Sequence, residues 1–212
     1  MKNKTTYIML GVGLLLQVLT YLMTKDTLLS FVSGISGVFA VVFCSERKFS
    51  YYFWSFLQLT TFSIICFNEN LYGKLVENAF YLITTGFSIG IWLAHKDKTE
   101  SNKVETRSMN RFEMLLTSGV LMFVFSVLYI IMINTDNTQP LLDSLTTSLG
   151  LCAQILMMLR YKENWVLWMI ADILCVVLFI STGNWCMVAQ YVFWTLNTVY
   201  GYSQWNKSSL AR

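Results

Sequence analysis

Proline and histidine each occur once in the 212 residues, and charged side chains make up only 13% of the chain against 55% apolar. So little polar surface cannot clothe a soluble globule of this size. The near-absence of proline leaves long helices uninterrupted. A single histidine, His95, removes most catalytic and metal constellations, and there is no HExxH, no Ser/His pair and no clustered carboxylate set. An enzyme is disfavoured on that chemistry. The five cysteines, Cys44, Cys66, Cys152, Cys175 and Cys186, show no CxxC spacing, so neither a metal site nor a cofactor is expected. A bridge between Cys66 and Cys186 is the weaker alternative to small apolar filler.

What is abundant is long apolar sequence. Windows of roughly 20 mostly apolar residues, enough to cross a bilayer as a helix, recur at Tyr7 to Thr24, Leu28 to Cys44, Tyr51 to Phe67, Tyr72 to Ala94, Phe112 to Ile133, Leu141 to Leu159, Trp165 to Ile180 and Trp185 to Trp205. The chain reads as an all-α integral membrane protein of about eight transmembrane helices. Lys2 and Lys4 precede the first window as in a signal peptide, but no small-x-small cleavage site follows, so it is taken as a span. Thirteen of the fifteen basic residues fall on one side of that topology, with only Lys25 and Lys74 opposite. Both termini are therefore expected in the cytoplasm. The same bias accounts for the net charge of +3 without a nucleic-acid partner. The mixed-charge stretch HKDKTESNKVETRSMNR, 95–111, reads as a solvated cytoplasmic loop between two halves.

The halves resemble each other. Setting FWSFLQ beside LWMIAD places Trp54 on Trp168 and Gln58 on Asp172. Through a one-residue gap, LYGKLVENAFYLITTGFSIGIW falls on NWCMVAQYVFWTLNTVYGYSQW, placing Tyr72 on Trp185, Glu77 on Gln190, Tyr81 on Trp194, Thr84 on Asn197, Ser88 on Gly201 and Trp92 on Trp205. Four spans separate equivalent elements, so the repeats enter the bilayer in the same direction, and a substrate site is expected at their interface.

A carboxylate in the middle of a span costs several kcal/mol unless it meets a wet cavity or a partner, so Asp172 is not expected to face lipid. Trp165, Trp168 and Asp172 share one helix face, as do Gln190, Trp194, Asn197, Gly201 and Gln204 on the next span. Trp54 with Gln58, and Glu77 with Tyr81, Thr84 and Ser88, form the corresponding faces of the first half. Trp92, Trp185 and Trp205, near span ends, read as interfacial anchors. Gln17 and Gln154 read as hydrogen-bonding between helices. Gly34, Gly37, Gly86, Gly90 and Gly201 are candidates for close helix approach. The indoles and phenol stack on planar rings and attract cations, amides pair with hydroxyls or a carboxamide, and a carboxylate meets a positive ring or hydroxyl donors. The ligand class is a small, polar, ring-containing molecule.

ENWVLWMIAD, the GNW at Gly183 to Trp185 and NTVYGYSQW at Asn197 to Trp205, with ERKFSYYFWSFLQ and LYGKLVENAFYL in the first half, make the chain resemble the PnuC family of bacterial vitamin transporters. That family is related in fold to the SWEET sugar transporters. The resemblance extends over nearly the whole chain. It implies two parallel three-helix bundles joined by a linker helix, 3+1+3, with an extra N-terminal helix. In this chain the divisions are an N-terminal transmembrane helix at 1–27, a first bundle at 28–94, the loop at 95–111, the linker helix and outer loop at 112–140, a second bundle at 141–206 and a cytoplasmic tail at 207–212.

It further implies a homotrimer in the bacterial inner membrane, each protomer carrying nicotinamide riboside by facilitated diffusion and alternating access. A cytoplasmic nicotinamide riboside kinase traps the vitamin by phosphorylation. Thiamine or deoxynucleosides are the alternatives within the family, and a SWEET-like sugar carrier is the more distant one. Gln58 stands where many members have Asn. The expected substrate-binding residues are Trp54, Gln58, Glu77, Tyr81, Thr84, Trp168, Asp172, Gln190, Trp194 and Asn197, with Trp168 and Trp194 stacking on the ring.

Overall fold

A computed structural model describes residues 4–24, 27–68, 72–135, 139–181, 183 and 185–210, with the backbone alone at 72, 73 and 186. Among the described residues the chain forms eight helices: α1 (Lys4–Thr24), α2 (Leu28–Ser45), α3 (Tyr51–Asn68), α4 (Tyr72–Leu93), α5 (Arg111–Met132), α6 (Pro140–Met158), α7 (Asn164–Ser181) and α8 (Trp185–Leu210). Each coincides with one expected span. Five, α1, α2, α5, α6 and α7, are long and apolar enough by composition alone to cross a membrane. The three that fall short, α3, α4 and α8, include those with the densest polar stripes, whose hydroxyls and amides lower the mean hydropathy.

Local chemistry sets the boundaries. Thr27 caps α2 through the amide of Ser30, Asn110 and Glu113 form a capping box at the start of α5, and the chain's one proline, Pro140, sits in the first turn of α6 where no amide donor is needed. α2 and α6 end alike. Arg47 and Arg160 take positive φ, 63° and 68°. In each turn the next amide reaches back to the helix, Lys48 to Phe43 at 3.0 Å and Tyr161 to Leu156 at 2.9 Å. Both are Schellman-type ends in which arginine occupies the position usually given to glycine.

The repeat register follows from these ends. Arg47 matches Arg160, Tyr51 and Asn164 open α3 and α7, and Tyr72 and Trp185 open α4 and α8, all without an inserted residue. The one-residue gap expected from the Trp54/Trp168 and Gln58/Asp172 pairing is therefore absent. Trp54 corresponds to Leu167 and Leu59 to Asp172, because the turn fixes the helix start before any tryptophan is reached. The later pairs, from Glu77/Gln190 to Trp92/Trp205, keep their places.

The two bundles close into a ring. Its helices run α2, α3, α4, α6, α7, α8 and back to α2, and helices facing each other across it, α3 and α7 for example, share no backbone contact. α1 packs on α2 and α8, and α5 on α6. Lipid supplies no hydrophobic force between helices, so small and polar residues hold the seams: Ser33, Ser36 and Ser45 on α2, and Ser144 and Ser148 on α6, are all buried. The carboxylate of Glu46 takes hydrogen bonds from Thr6 of α1, at 2.5 Å, and from the hydroxyl of Tyr200 of α8. These bonds tie the N-terminal helix across one seam between the bundles.

Two expectations need correction. Segment 95–111 is solvated only in its first half: 95–102 is exposed apart from Asp97, but Val104 and Thr106 have no exposed surface, and the segment forms isolated bridges with Lys48 and Tyr161. Its carboxylates are paired, Asp97 with Arg47 of the turn after α2 and Glu100 with Lys103 within the segment, which leaves its apolar side free to pack. The tail expected at 207–212 continues α8 through Leu210, with Ser208 accepting a bond from Arg47 at 2.7 Å. Cys66 is a free, buried thiol, and the side chain of Cys186 lies outside the described residues.

Candidate functional site

The loop end of the ring is closed by aromatic side chains. Trp92 and Trp205, equivalent in the repeat, have no exposed surface and meet edge to face with centroids 5.8 Å apart. Each crosses to the other half. Trp92 Nε1 donates to the carbonyl of Met157 at 3.4 Å, and Trp205 Nε1 to that of Cys44 at 3.0 Å. Cys44 and Met157 are themselves equivalent, with their sulfurs 3.3 Å apart. Tyr52 packs edge-on against Trp92, and its counterpart Trp165 against Trp205. The rings fill the interior so closely that a Cβ on Gly201 would lie 2.6 Å from the Trp165 indole. Trp92 and Trp205 are thus a plug and not interfacial anchors, whereas Trp185 is 67% exposed, as an anchor should be.

The predicted polar residues lie next to this plug and beyond it. Tyr81 of α4 meets Trp168 of α7 at 6.1 Å, an edge contact that crosses between the bundles. The Tyr81 hydroxyl donates to Glu77 at 2.9 Å, and Glu77 also takes Lys74 at 2.9 Å. Both rings lean on Gly150 of α6, where a Cβ would meet the Tyr81 hydroxyl at 2.6 Å. Trp54 stacks on Phe39 at 4.3 Å and, with Trp168, packs against the plug. Trp194 meets Tyr191 edge-on at 5.0 Å and packs against the buried cluster of Val38, Val42 and Phe193.

Asp172 is 6% exposed and accepts no hydrogen bond from any described residue. Its electrostatic neighbours are Cys175 on its own helix and Tyr191 on α8, and Tyr191 in turn lies within range of Glu77 on α4. Three helices, α4, α7 and α8, thus direct polar or aromatic groups into one region. The amide of Gln58, beside Gly37, and that of Gln190 are half-buried and also form no hydrogen bond with a described residue.

Thr84 and Asn197 are used differently. Thr84 accepts from Gln154 at 3.1 Å, and Asn197 accepts from Ser45 at 3.1 Å while its amide donates to the carbonyl of Val41. These equivalent residues hold the two seams between the bundles. Gln154 behaves as the helix-joining amide expected of it, and Gln17 packs on Gly34. Of the glycines singled out, Gly34, Gly37 and Gly201 are closely approached, while Gly86 and Gly90 face open space.

Sequence reasoning missed Tyr191, Cys175 and Gly150. Tyr191 and Cys175 each lie three residues from a residue that was singled out, Trp194 and Asp172, so the helical stripe itself pointed to them. An apolar groove of about 430 Å³ between α5 and α6, lined by Leu116, Val120, Leu151 and Ile155 among others, lies outside the ring and has no part in this arrangement.

The chain is 26% identical to the nicotinamide riboside transporter PnuC of Neisseria mucosa, over 91% of its length and 77% of the relative's. It is 29% identical to the protein of that name from Haemophilus influenzae, over 93% and 88%. A crystal structure of the vitamin B3 transporter PnuC superposes with a TM-score of 0.82 at 24% identity, covering 99% of this chain and 93% of that one, which shows the shared fold. The family model described as nicotinamide mononucleotide transporter matches residues 27–207. The chain is therefore a multi-pass membrane transporter, not an enzyme, and belongs to the nicotinamide mononucleotide transporter family, that of the PnuC proteins.

Proposed function

We propose that this chain carries nicotinamide riboside across the bacterial plasma membrane through the interior of the six-helix ring. The observation that supports this reading most directly is Asp172. A carboxylate this deeply buried, without a donor among the described residues, is unstable as an anion unless water or a cation completes it. The riboside brings a cationic pyridinium, a carboxamide and ribose hydroxyls. Trp168, Tyr191 and Trp194 offer aromatic faces to the ring, Asp172 meets its charge, Gln58 and Gln190 take polar substituents, and Glu77, Tyr81 and Trp54 complete the wall. Thr84 and Asn197 hold the seams on either side.

Transport is passive. The Trp92/Trp205 plug is the closed cytoplasmic gate, and rocking of one bundle against the other breaks its two crossed hydrogen bonds and releases the vitamin inward, where a kinase traps it. Basic residues gathered at the plug end support a cytoplasmic placement of the termini and of 95–111. α5, which has no buried residue, supplies an apolar face for assembly into a trimer.

The test is uptake by purified protein in proteoliposomes. Nicotinamide riboside is expected to equilibrate without a proton or sodium gradient. Accumulation that requires either gradient overturns passive carriage, and uptake of thiamine or deoxynucleosides in its place reassigns the substrate.

A further inference from the structure

The turns after α2 and α6 are near copies, yet their arginines are compensated differently. Arg47 and Arg160 both adopt positive φ and are 9% and 6% exposed. A left-handed backbone is unfavourable for any side chain with a Cβ, so arginine at both places points to a use for the guanidinium. For Arg47 that use is visible. Its guanidinium lies 3.1 Å from Asp97 and 3.5 Å from Glu100, and donates to the Val104 carbonyl and the Ser208 hydroxyl.

Arg160 has no such pairing among the described residues. The one hydrogen bond of its guanidinium among the described residues runs from Nη1 to the carbonyl of Glu105 at 3.0 Å, and its Nε is sealed from solvent without an acceptor. The formal charge beside it is another cation, Arg107, whose guanidinium lies 3.9 Å above the Tyr161 ring. No described carboxylate acts on Arg160: Glu113 takes Tyr161 and the Asn110 amide and lies within electrostatic range of Arg107 only, Glu163 takes the Met109 amide, and Glu105 has a partner of its own. The same turn holds the two other sealed polar atoms that lack partners among the described residues, Asn164 Oδ1 and Trp165 Nε1.

A buried guanidinium lacking a counterion is costly, and a second one beside it adds repulsion. An oxyanion with several oxygens matches the planar donor fork better than a spherical ion does. We propose that Arg160 and Arg107 form a binding site for a phosphate-type oxyanion at the plug end of the second bundle, in the role that Asp97 and Glu100 fill in the first. The bound anion steadies the turn that leads into Trp165 and so favours the closed plug. The phosphate can be a lipid headgroup or a free phosphate group, and the experiment separates the two.

The full chain is purified in detergent, moved to gluconate buffer, and unfolded thermally at constant ionic strength with and without sodium phosphate, by intrinsic tryptophan fluorescence. A free-phosphate site raises Tm by about 2–4 °C at saturation, and Arg160→Gln abolishes the rise. A lipid site leaves the phosphate series flat but gives the same Arg160-dependent rise when phosphatidylglycerol is added to phosphatidylcholine vesicles. Arg107→Gln serves as the second variant if Arg160→Gln does not fold. No rise with either phosphate source, or a rise of equal size in the variant, overturns the site. Riboside takes no part in these measurements, so the outcome is independent of the transport assignment.

Discussion

Trp92 and Trp205 donate crosswise, each indole to a carbonyl of the opposite bundle, Met157 at 3.4 Å and Cys44 at 3.0 Å. The residues involved are equivalent in the repeat, so the plug sits where the two bundles meet, and parting the bundles at this end breaks both bonds. Trp205→Phe keeps most of the ring and removes one donor; the Cys44 carbonyl keeps its bond from the Arg47 amide at 2.9 Å, so the cost is that of one hydrogen bond, about 0.5–1.5 kcal/mol. Cys44, 2% exposed behind the plug, reports the result. With the other cysteines replaced, its alkylation is expected to rise about 2–10-fold in the variant. An unchanged rate would show that the crossed bonds do not hold the plug.

Gly201 on α8 and Gly86 on α4 differ in how closely they are approached. A Cβ at Gly201 falls 2.6 Å from the Trp165 indole, and one at Gly86 meets nothing within 4 Å. Gly201→Ala is expected to destabilise the closed state by about 1–3 kcal/mol through overpacking, and Gly86→Ala to be neutral. Thermal unfolding of both variants, with Cys44 alkylation alongside, checks the contrast. Equal behaviour of the two contradicts the packing.

Segment 95–111 straps both bundles at the plug end, and Asp97 is one of its anchors. Burial pushes the Asp97 carboxyl up, but hydrogen bonds from the Thr99 amide and hydroxyl, from Arg47 and from the Glu100 amide outweigh it and hold the group below the usual carboxylate range. A depressed folded-state pKa stabilises fully above the ordinary value of about 3.9 and is lost as pH falls through the folded-state value. Asp97→Asn is therefore expected to lower Tm at pH 7, with the gap from wild type narrowing below about pH 4. A gap that stays constant down to pH 3 removes the carboxylate from the strap.

Tyr81 and Trp168 meet across the ring at 6.1 Å. Trp168→Ala is expected to weaken riboside binding while leaving the plug in place. Calorimetric titration should show at least a tenfold loss of affinity, since aromatic and cation contacts contribute about 1–2 kcal/mol each, and Cys44 alkylation should stay at its wild-type rate. Loss of binding together with faster alkylation would mean that Trp168 acts on the gate.

All eight helices were legible in the sequence because apolar runs of the length of a bilayer are hard to build otherwise. The bundle repeat was legible too, but its register slipped by one between α3 and α7. Tryptophan at 54 and 168 suggested a match that the Arg47 and Arg160 turns do not allow. The plug went unread because tryptophans near span ends usually mark the lipid interface, although the coincidence of Trp92 with Trp205 in the repeat was a usable signal. Packing of 95–111 leaves no periodic trace, since its burial depends on ion pairs with distant helices. Asp172 stood out because no lipid-facing helix tolerates such a residue cheaply. Asn197 and Thr84 looked like ligand groups for the same reason, and only their hydrogen bonds to Ser45, Val41 and Gln154 reveal them as seam residues.

The ring interior as a vitamin site is tested most directly by titrating nicotinamide riboside into purified protein and into Asp172→Asn, which removes the charge and keeps the shape. Saturable binding by the wild type and a loss of about tenfold to a hundredfold in the variant are predicted, the range expected of one interaction with a charged group. Equal affinity in the two proteins would contradict a cationic ring resting against Asp172.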